Sequence, residues 1–223
     1  MNPIIDTFVA PVCLQQIEIL VQDEHFLLIE KPSGLLSLSG KNPLNRDSVH
    51  FRLIQDFPTA RLVHRLDFGT SGIMLVALNA PATAKLAKQF ELQSVSKTYV
   101  SLVDGYVVND SGQINAPIAK DSSLFPRVKI CHQLGKPAQT NYQVIERLQN
   151  SKSTHLRYFP KTGRTHQLRI HSQHIGHPIL GCDLYGSKTS HHATSRLMLH
   201  AEKIGFDHPV SGKRIVTESV CRF

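Results

Sequence analysis

The segment Leu62-Val63-His64-Arg65-Leu66-Asp67-Phe68-Gly69-Thr70-Ser71-Gly72-Ile73-Met74-Leu75-Val76-Ala77-Leu78 decides how this chain is read. Leu62 and Leu66 fit a short strand. Ile73 to Leu78 is an unbroken apolar run, the pattern of a strand buried on both faces. A tight polar turn punctuated by Gly69 and Gly72 separates the two. Asp67 stands at the mouth of that turn, just past Arg65. Taken by itself, an aspartate beside a turn is most simply a structural Asx or capping residue.

The same segment resembles the signature of RNA pseudouridine synthases of the RluA branch, His-Arg-Leu-Asp-x-x-Thr-Ser-Gly. Every fixed position is present from His64 to Gly72. The resemblance implies that Asp67 is the catalytic carboxylate. It also makes Arg65 the side chain that fills the gap left when a base is turned out of its stack.

Composition is compatible with that reading and excludes several others. A chain of 223 residues can bury a substantial core in one domain. Lys and Arg outnumber Asp and Glu by 25 to 17, for a formal charge of +8. Such a balance suits a phosphate-rich partner, because basic side chains displace condensed counterions. Cys13, Cys131, Cys182 and Cys221 are scattered, with no C-x-x-C pair, and read as reduced thiols of a cytoplasmic protein. The N-terminus lacks the pattern of a secretory signal, and no apolar run is long enough to span a membrane.

In chain order, residues 1–16 read as an irregular arm, with Pro3 and Pro11, followed by a catalytic domain over 17–223. Too few residues precede Ile17 for the small S4-type RNA-binding domain that family members often carry. Ile17–Val21 and Phe26–Lys31 read as two strands, and Pro32-Ser33-Gly34 stops the second. Lys31-Pro32-Ser33-Gly34-Leu35 resembles another recurrent family segment. Leu36-Ser37-Leu38-Ser39-Gly40 matches more loosely and suggests no chemistry. Residues 48–57 predict a short helix. Asn79 caps the next, with Pro81 in its first turn, Leu86 and Phe90 on one apolar face, and Lys85 and Lys88 toward solvent.

Ser96 to Val103 alternates as a half-buried strand. Its Lys97-x-Tyr99 resembles the family's second motif, in which the tyrosine stacks on the target base and takes part in proton transfer. The bland alternative for Tyr99 is simple packing. Residues 106–137 read as loop-rich, with Arg127, Lys129 and Lys136 making them either an RNA-facing insertion or a plain surface excursion. Gly135 to Thr140 resembles a segment of the RluA branch itself. Strands are expected at Asn141–Leu148, Thr154–Pro160 and Arg196–Ala201.

Thr162-Gly163-Arg164-Thr165-His166-Gln167-Leu168-Arg169-Ile170-His171 is the second signature. Thr165 reads as the N-cap of a helix whose start would suit a phosphate. The segment matches the family's third motif, which implies that Arg169 pairs with the catalytic aspartate. Arg164, His64, His166, Lys97 and Lys136 are the further candidates for RNA contact, and Leu199 for packing near the target base. His166, His171, His174 and His177 are dense enough to raise a metal site. Without H-E-x-x-H or cysteine pairs they read instead as RNA contacts or packing. Gly181 to Gly186 followed by Ser187-Lys188-Thr189 imitates a P-loop, but Ser187 breaks the Gly-Lys junction.

The expectation is therefore an α+β pseudouridine synthase domain, with a mixed, mostly antiparallel sheet, peripheral helices and a cleft across the sheet. The resemblance implies isomerisation of a uridine in structured ribosomal or transfer RNA by a monomer, with no cofactor, no metal and no membrane partner. The alternatives from other classes are a non-catalytic RNA-binding module and a metal-dependent RNA hydrolase.

Overall fold

A computed structural model describes residues 8–223. The part of the arm expectation that falls on residues 1–7 lies outside the described residues; residues 8–17 form no helix or strand. The elements in chain order are β1 (Glu18–Gln22), β2 (Phe26–Lys31), α1 (Val49–Asp56), β3 (Arg61–Leu62), β4 (Ser71–Ala77), α2 (Ala80–Glu91), β5 (Ser96–Asp104) and β6 (Ser111–Asn115). They continue with β7 (Ile118–Lys120), β8 (Val128–Ile130), β9 (Gln139–Leu148), β10 (Ser153–Pro160), α3 (Gln167–His174), α4 (Lys188–His192), β11 (Leu199–Asp207) and β12 (Arg214–Glu218). The fold is α+β, with mostly antiparallel strand pairing and few helices. By backbone contacts the chain forms two compact units, one up to Ser96 together with Ala201–Cys221, the other Lys97–His200 with Arg222–Phe223.

In the first unit the strand order is β1-β2-β4-β11, with β3 added to β4 and β12 to β11. β4 is buried at every position and β2 at all but Glu30, which is why both read as continuous apolar runs. Leu86 of α2 is fully buried, and Asn79 accepts from the Ala82 N–H as the expected N-cap. Ser48 caps α1 by accepting from Phe51 N–H.

In the second unit the order is β5-β10-β9-β6, antiparallel throughout, with β7 and β8 as a separate hairpin. Its core includes Val103, Leu156, Tyr158, Leu168, Ile179 and Leu199.

Several expectations are corrected. The loop-rich stretch 106–137 also holds three short strands. β6 buries Ile114 alone and β7 and β8 are three residues each, too short to show a period. The strand expected at Arg196 starts at Leu199 and runs to Asp207, through Gly205, whose missing side chain masks the alternation. The strand before the central turn is confined to Arg61–Leu62; Leu66 is buried in irregular backbone. The P-loop-like glycines answer to packing. A Cβ on Gly181 would stand 1.9 Å from the Arg196 carbonyl oxygen, and Ser187 caps α4 by accepting from Ser190 N–H.

Gly72 shows the same logic at the start of β4. It has φ +115°, and a Cβ there would lie 2.4 Å from the Ala201 carbonyl oxygen. Strain and overlap act together, so Gly72→Ala should destabilise the protein by about 3 kcal/mol or more. Urea unfolding checks this: an unchanged midpoint would show that the β4 backbone does not need the close approach.

Candidate active site

The loop between β3 and β4 carries Asp67, and each backbone carbonyl from Leu66 to Gly69 is held by a named donor. Ser37 Oγ donates to the Leu66 carbonyl at 2.7 Å and lies 3.2 Å from the Leu66 N–H. Gly34 N–H donates to the Phe68 carbonyl at 2.9 Å, and Thr70 N–H to the Asp67 carbonyl at 3.1 Å. Ser33 Oγ donates to the Gly69 carbonyl at 2.7 Å. Lys31 is fully buried, and its ammonium donates to the carbonyls of Pro32 (2.8 Å), Leu35 (2.7 Å) and Phe68 (3.2 Å).

The Lys31-Pro32-Ser33-Gly34-Leu35 segment is thus the support on which the Asp67 loop sits. Gly34, at φ +79°, makes the turn that aims its N–H at Phe68. Ser37, which the sequence left without a role, belongs to the same support. A hydroxyl serving both groups of Leu66 fixes the residue before the aspartate. Lys31 and Gly34, both donating to the Phe68 carbonyl, fix the one after. The Asp67 side chain itself is half-buried.

Arg65 is exposed on this loop. His64 is engaged inside the unit instead. Its Nε2 accepts from the Leu75 N–H at 2.9 Å, and its ring stacks on Phe90 at 4.6 Å between centroids.

The second unit carries the other candidates. Tyr99 on β5 is half-buried and packs against the cluster containing Leu168 and Leu199. Its register partner on β10 is Tyr158, which is fully buried and hydrogen-bonded to Ser172 Oγ at 2.6 Å. Burial raises the Tyr158 phenol to about 12, so it stays neutral and structural. Of the two facing tyrosines, Tyr99 is the one with exposed surface. Lys97 lies two positions away, its ammonium 3.9 Å from where a Gly163 Cβ would be. Burial pushes that amine below the usual lysine range.

The second signature is stapled to β9 by Gln167. Its amide nitrogen donates to the Gln139 carbonyl and to Thr140 Oγ1, both at 3.0 Å. Its oxygen accepts from Thr162 Oγ1 and Arg164 N–H, at 2.7 and 2.9 Å. The helix therefore has no Thr165 cap. His166 takes the N-cap position in left-handed backbone, φ 52°, and its side chain gives no capping bond. The Gln167 amide does the fastening from inside, so the expected Ser/Thr-type helix start is corrected.

Arg169, 5% exposed, is buried on α3. It pairs with Asp183, donates through Nε to Cys182 Sγ at 3.4 Å, and places its guanidinium 5.4 Å from the Tyr185 ring centre. Tyr185 is a hub, a role that its place in the sequence does not disclose. Its hydroxyl accepts from Val128 N–H at 2.8 Å and meets His166 Nδ1 at 2.9 Å, and Arg127 sits over the ring as well. Asp183 was equally illegible, because its partner Arg169 lies 14 residues away along the chain. Arg164 donates through Nε to the Pro137 carbonyl, next to exposed Lys136.

The dense histidines divide by role. His171 is buried, Nδ1 facing Thr140 Oγ1 and Nε2 the Ala116 carbonyl, both at 2.9 Å. Thr140 Oγ1 already receives the Gln167 amide, so its own hydrogen goes to Nδ1 and His171 donates from Nε2. His177 Nδ1 meets the Asp104 carbonyl. Among the described residues no group of His, Cys, Asp and Glu is arranged to hold a metal ion.

With both signatures in place, the comparisons identify the class. The RNA pseudouridylate synthase family model matches residues 25–174, which include Asp67, Tyr99 and Arg169, and the chain belongs to that family. Within it, the chain falls in the RluA branch of pseudouridine synthases. It is 45% identical over 194 residues to the dual-specificity RNA pseudouridine synthase RluA of Yersinia pestis, covering 87% of this chain and 94% of the relative. It is 41% identical over 206 residues to the RluA of Escherichia coli K12, covering 92% and 93%. Among solved structures, human RNA pseudouridylate synthase domain containing 1 superposes with a TM-score of 0.78 at 27% identity, over 94% of this chain and 85% of that one.

The Lys31 support makes a specific demand. Lys31→Met keeps the length but leaves the buried Pro32 and Leu35 carbonyls without this donor and the Phe68 carbonyl with Gly34 N–H alone. It should cost about 2 kcal/mol, since each unmet buried acceptor costs of order 1 kcal/mol or more. Chemical denaturation measures this, and wild-type stability would show that the ammonium is dispensable to the loop.

Proposed function

We propose that this chain isomerises uridines in both ribosomal and transfer RNA, with Asp67 as the catalytic carboxylate. The observation that supports this most is the Asp67 loop. A half-buried carboxylate on a backbone fixed at Leu66, Phe68 and Gly69 is preorganised to meet a reacting group.

In the reaction the C1′–N1 glycosidic bond breaks, the uracil turns, and C1′ bonds to C5. The hydrogen on C5 leaves as a proton and N1 gains one, so nothing is oxidised and no group is added. The chemistry calls for no cofactor. Tyr99 supplies an aromatic face for the base and a phenol for proton transfer. Leu199 packs below the base.

The third motif gives Arg169 the role of holding the carboxylate ionised, as a guanidinium does through paired hydrogen bonds. Arg65 fills the stack when the uridine is flipped. Arg164, Lys97 and Lys136 supply phosphate or polar contacts from the second unit. His64 and His166 are proposed at the RNA side through the ring edges not engaged with Leu75 and Tyr185. The enzyme works in the cytoplasm as a monomer. No described helix is long and apolar enough to cross a membrane.

The substrate proposed is compact: a stem-loop whose loop bases can be splayed and stacked. The resemblance of Gly135 to Thr140 to the RluA branch points to an anticodon stem-loop and a hairpin of large-subunit ribosomal RNA. The relatives' designation as dual-specificity enzymes agrees with two such targets.

Release of tritium from [5-³H]uridine stem-loops tests the proposal. Wild-type protein should release label from both hairpins and lose activity when the stem cannot pair. Asp67→Asn should release none while still binding, because the amide is nearly isosteric but neither charged nor basic. Turnover by Asp67→Asn would remove the carboxylate from the chemistry. Activity confined to intact ribosomal particles would sink the stem-loop assignment.

A further inference from the structure

The segment 8–15 has no regular secondary structure, yet side chains of the first unit hold it at several points. Asn45 grips it twice: its amide nitrogen donates to the Phe8 carbonyl at 2.7 Å, and its oxygen accepts from Ala10 N–H at 2.8 Å. Arg52 donates to the carbonyls of Cys13 (2.5 Å) and Gln15 (2.6 Å). Asp47 fixes that guanidinium through two bonds of 2.7 Å, which holds the Asp47 carboxyl below its usual range. Asn45 itself is 3% exposed, so the grip is built from inside.

This anchoring places one side chain where it matters. The Phe8 ring meets the Phe68 ring edge-to-face, with centroids 5.4 Å apart and planes at 76°. Phe68 directly follows Asp67, and its carbonyl is the one that Lys31 and Gly34 hold from within. The Asp67 loop is thus fastened on its backbone side by Lys31, Ser33, Gly34 and Ser37, and on its side-chain side by Phe8.

We propose that Phe8 is a positioning residue: residues 8–15 form a strap that presses Phe68 in place and so fixes the Asp67 carboxylate for the reaction. This rests on the reading of Asp67 as catalytic. The ring is 47% exposed, so its burial adds little to global stability. Its effect falls on the freedom of the loop, where small displacements of a reacting group are costly.

The test uses the full chain with a [5-³H]uridine anticodon stem-loop, and measures single-turnover rate at saturating enzyme beside RNA affinity. Phe8→Ala should slow turnover by about two- to tenfold, the factor spanned by one edge-to-face pair. RNA affinity should stay at the wild-type value, and Phe8→Tyr should restore the rate. Amide hydrogen exchange gives a readout independent of activity. In Phe8→Ala the Gly34 and Thr70 amides, which donate to Phe68 and Asp67, should exchange faster, while those of β2 and β4 keep their rates.

Wild-type turnover with unchanged exchange would overturn the strap. So would a loss of RNA affinity as large as the loss of rate, which would make Phe8 an RNA contact. Asp67→Asn run alongside separates the two claims. If it stays active, the reading of Asp67 fails; if it is inactive and Phe8→Ala is unaffected in rate and exchange, the strap alone fails.

Discussion

A buried ammonium organises the loop that carries Asp67. Taking the Lys31 cation out of water costs several kcal/mol, and the penalty is tolerable where good acceptors surround it. Three carbonyls do so here, two from the turn after β2 and one from Phe68. The arrangement ties two irregular segments together at the end of β2, where neither could use strand ladders to satisfy its polar groups. An apolar side chain would fill the space without binding the carbonyls. An arginine would bring a larger, planar head to a site shaped for a point donor.

The consequence is a carboxylate on a loop that is irregular in form but fixed in place. Loops carry function because they can shape themselves to a ligand, and they are useful in catalysis only when a scaffold holds them. The first unit meets that requirement with hydroxyls and one cation along the backbone of residues 66–69. The second unit meets it differently. There Gln167 laces the second signature to β9, and Tyr185 braces Arg169 and His166.

How much of this the sequence disclosed follows from how each feature is encoded. β2 and β4 were legible because both faces are buried, so each residue contributes to the pattern. α2 was legible from Asn79 and Pro81, whose roles are local. Asp67, Tyr99 and Arg169 were each singled out by a separate motif, through their neighbours along the chain. Ser37, Asp183 and Tyr185 were not announced. Each works through a partner far away in sequence, Leu66, Arg169 and Val128 respectively, and a hydroxyl or carboxylate with a distant partner has no local signal. The Thr165 cap failed for a related reason: the helix starts at Gln167, which is fastened to β9 by its side chain, and that long-range partner leaves no local signal. The short strands β6, β7 and β8 depend on partners for their existence and leave almost no periodicity behind.

The most direct measurement is the structure of Asp67→Asn bound to a uridine-containing stem-loop. The account predicts the target uridine out of its stack, with its ribose and base against residue 67, Tyr99 on the base, and the 66–69 backbone bonded as in the free protein. A uridine still stacked in the hairpin, or bound with residue 67 turned away from it, would contradict the assignment of Asp67 as the reacting carboxylate.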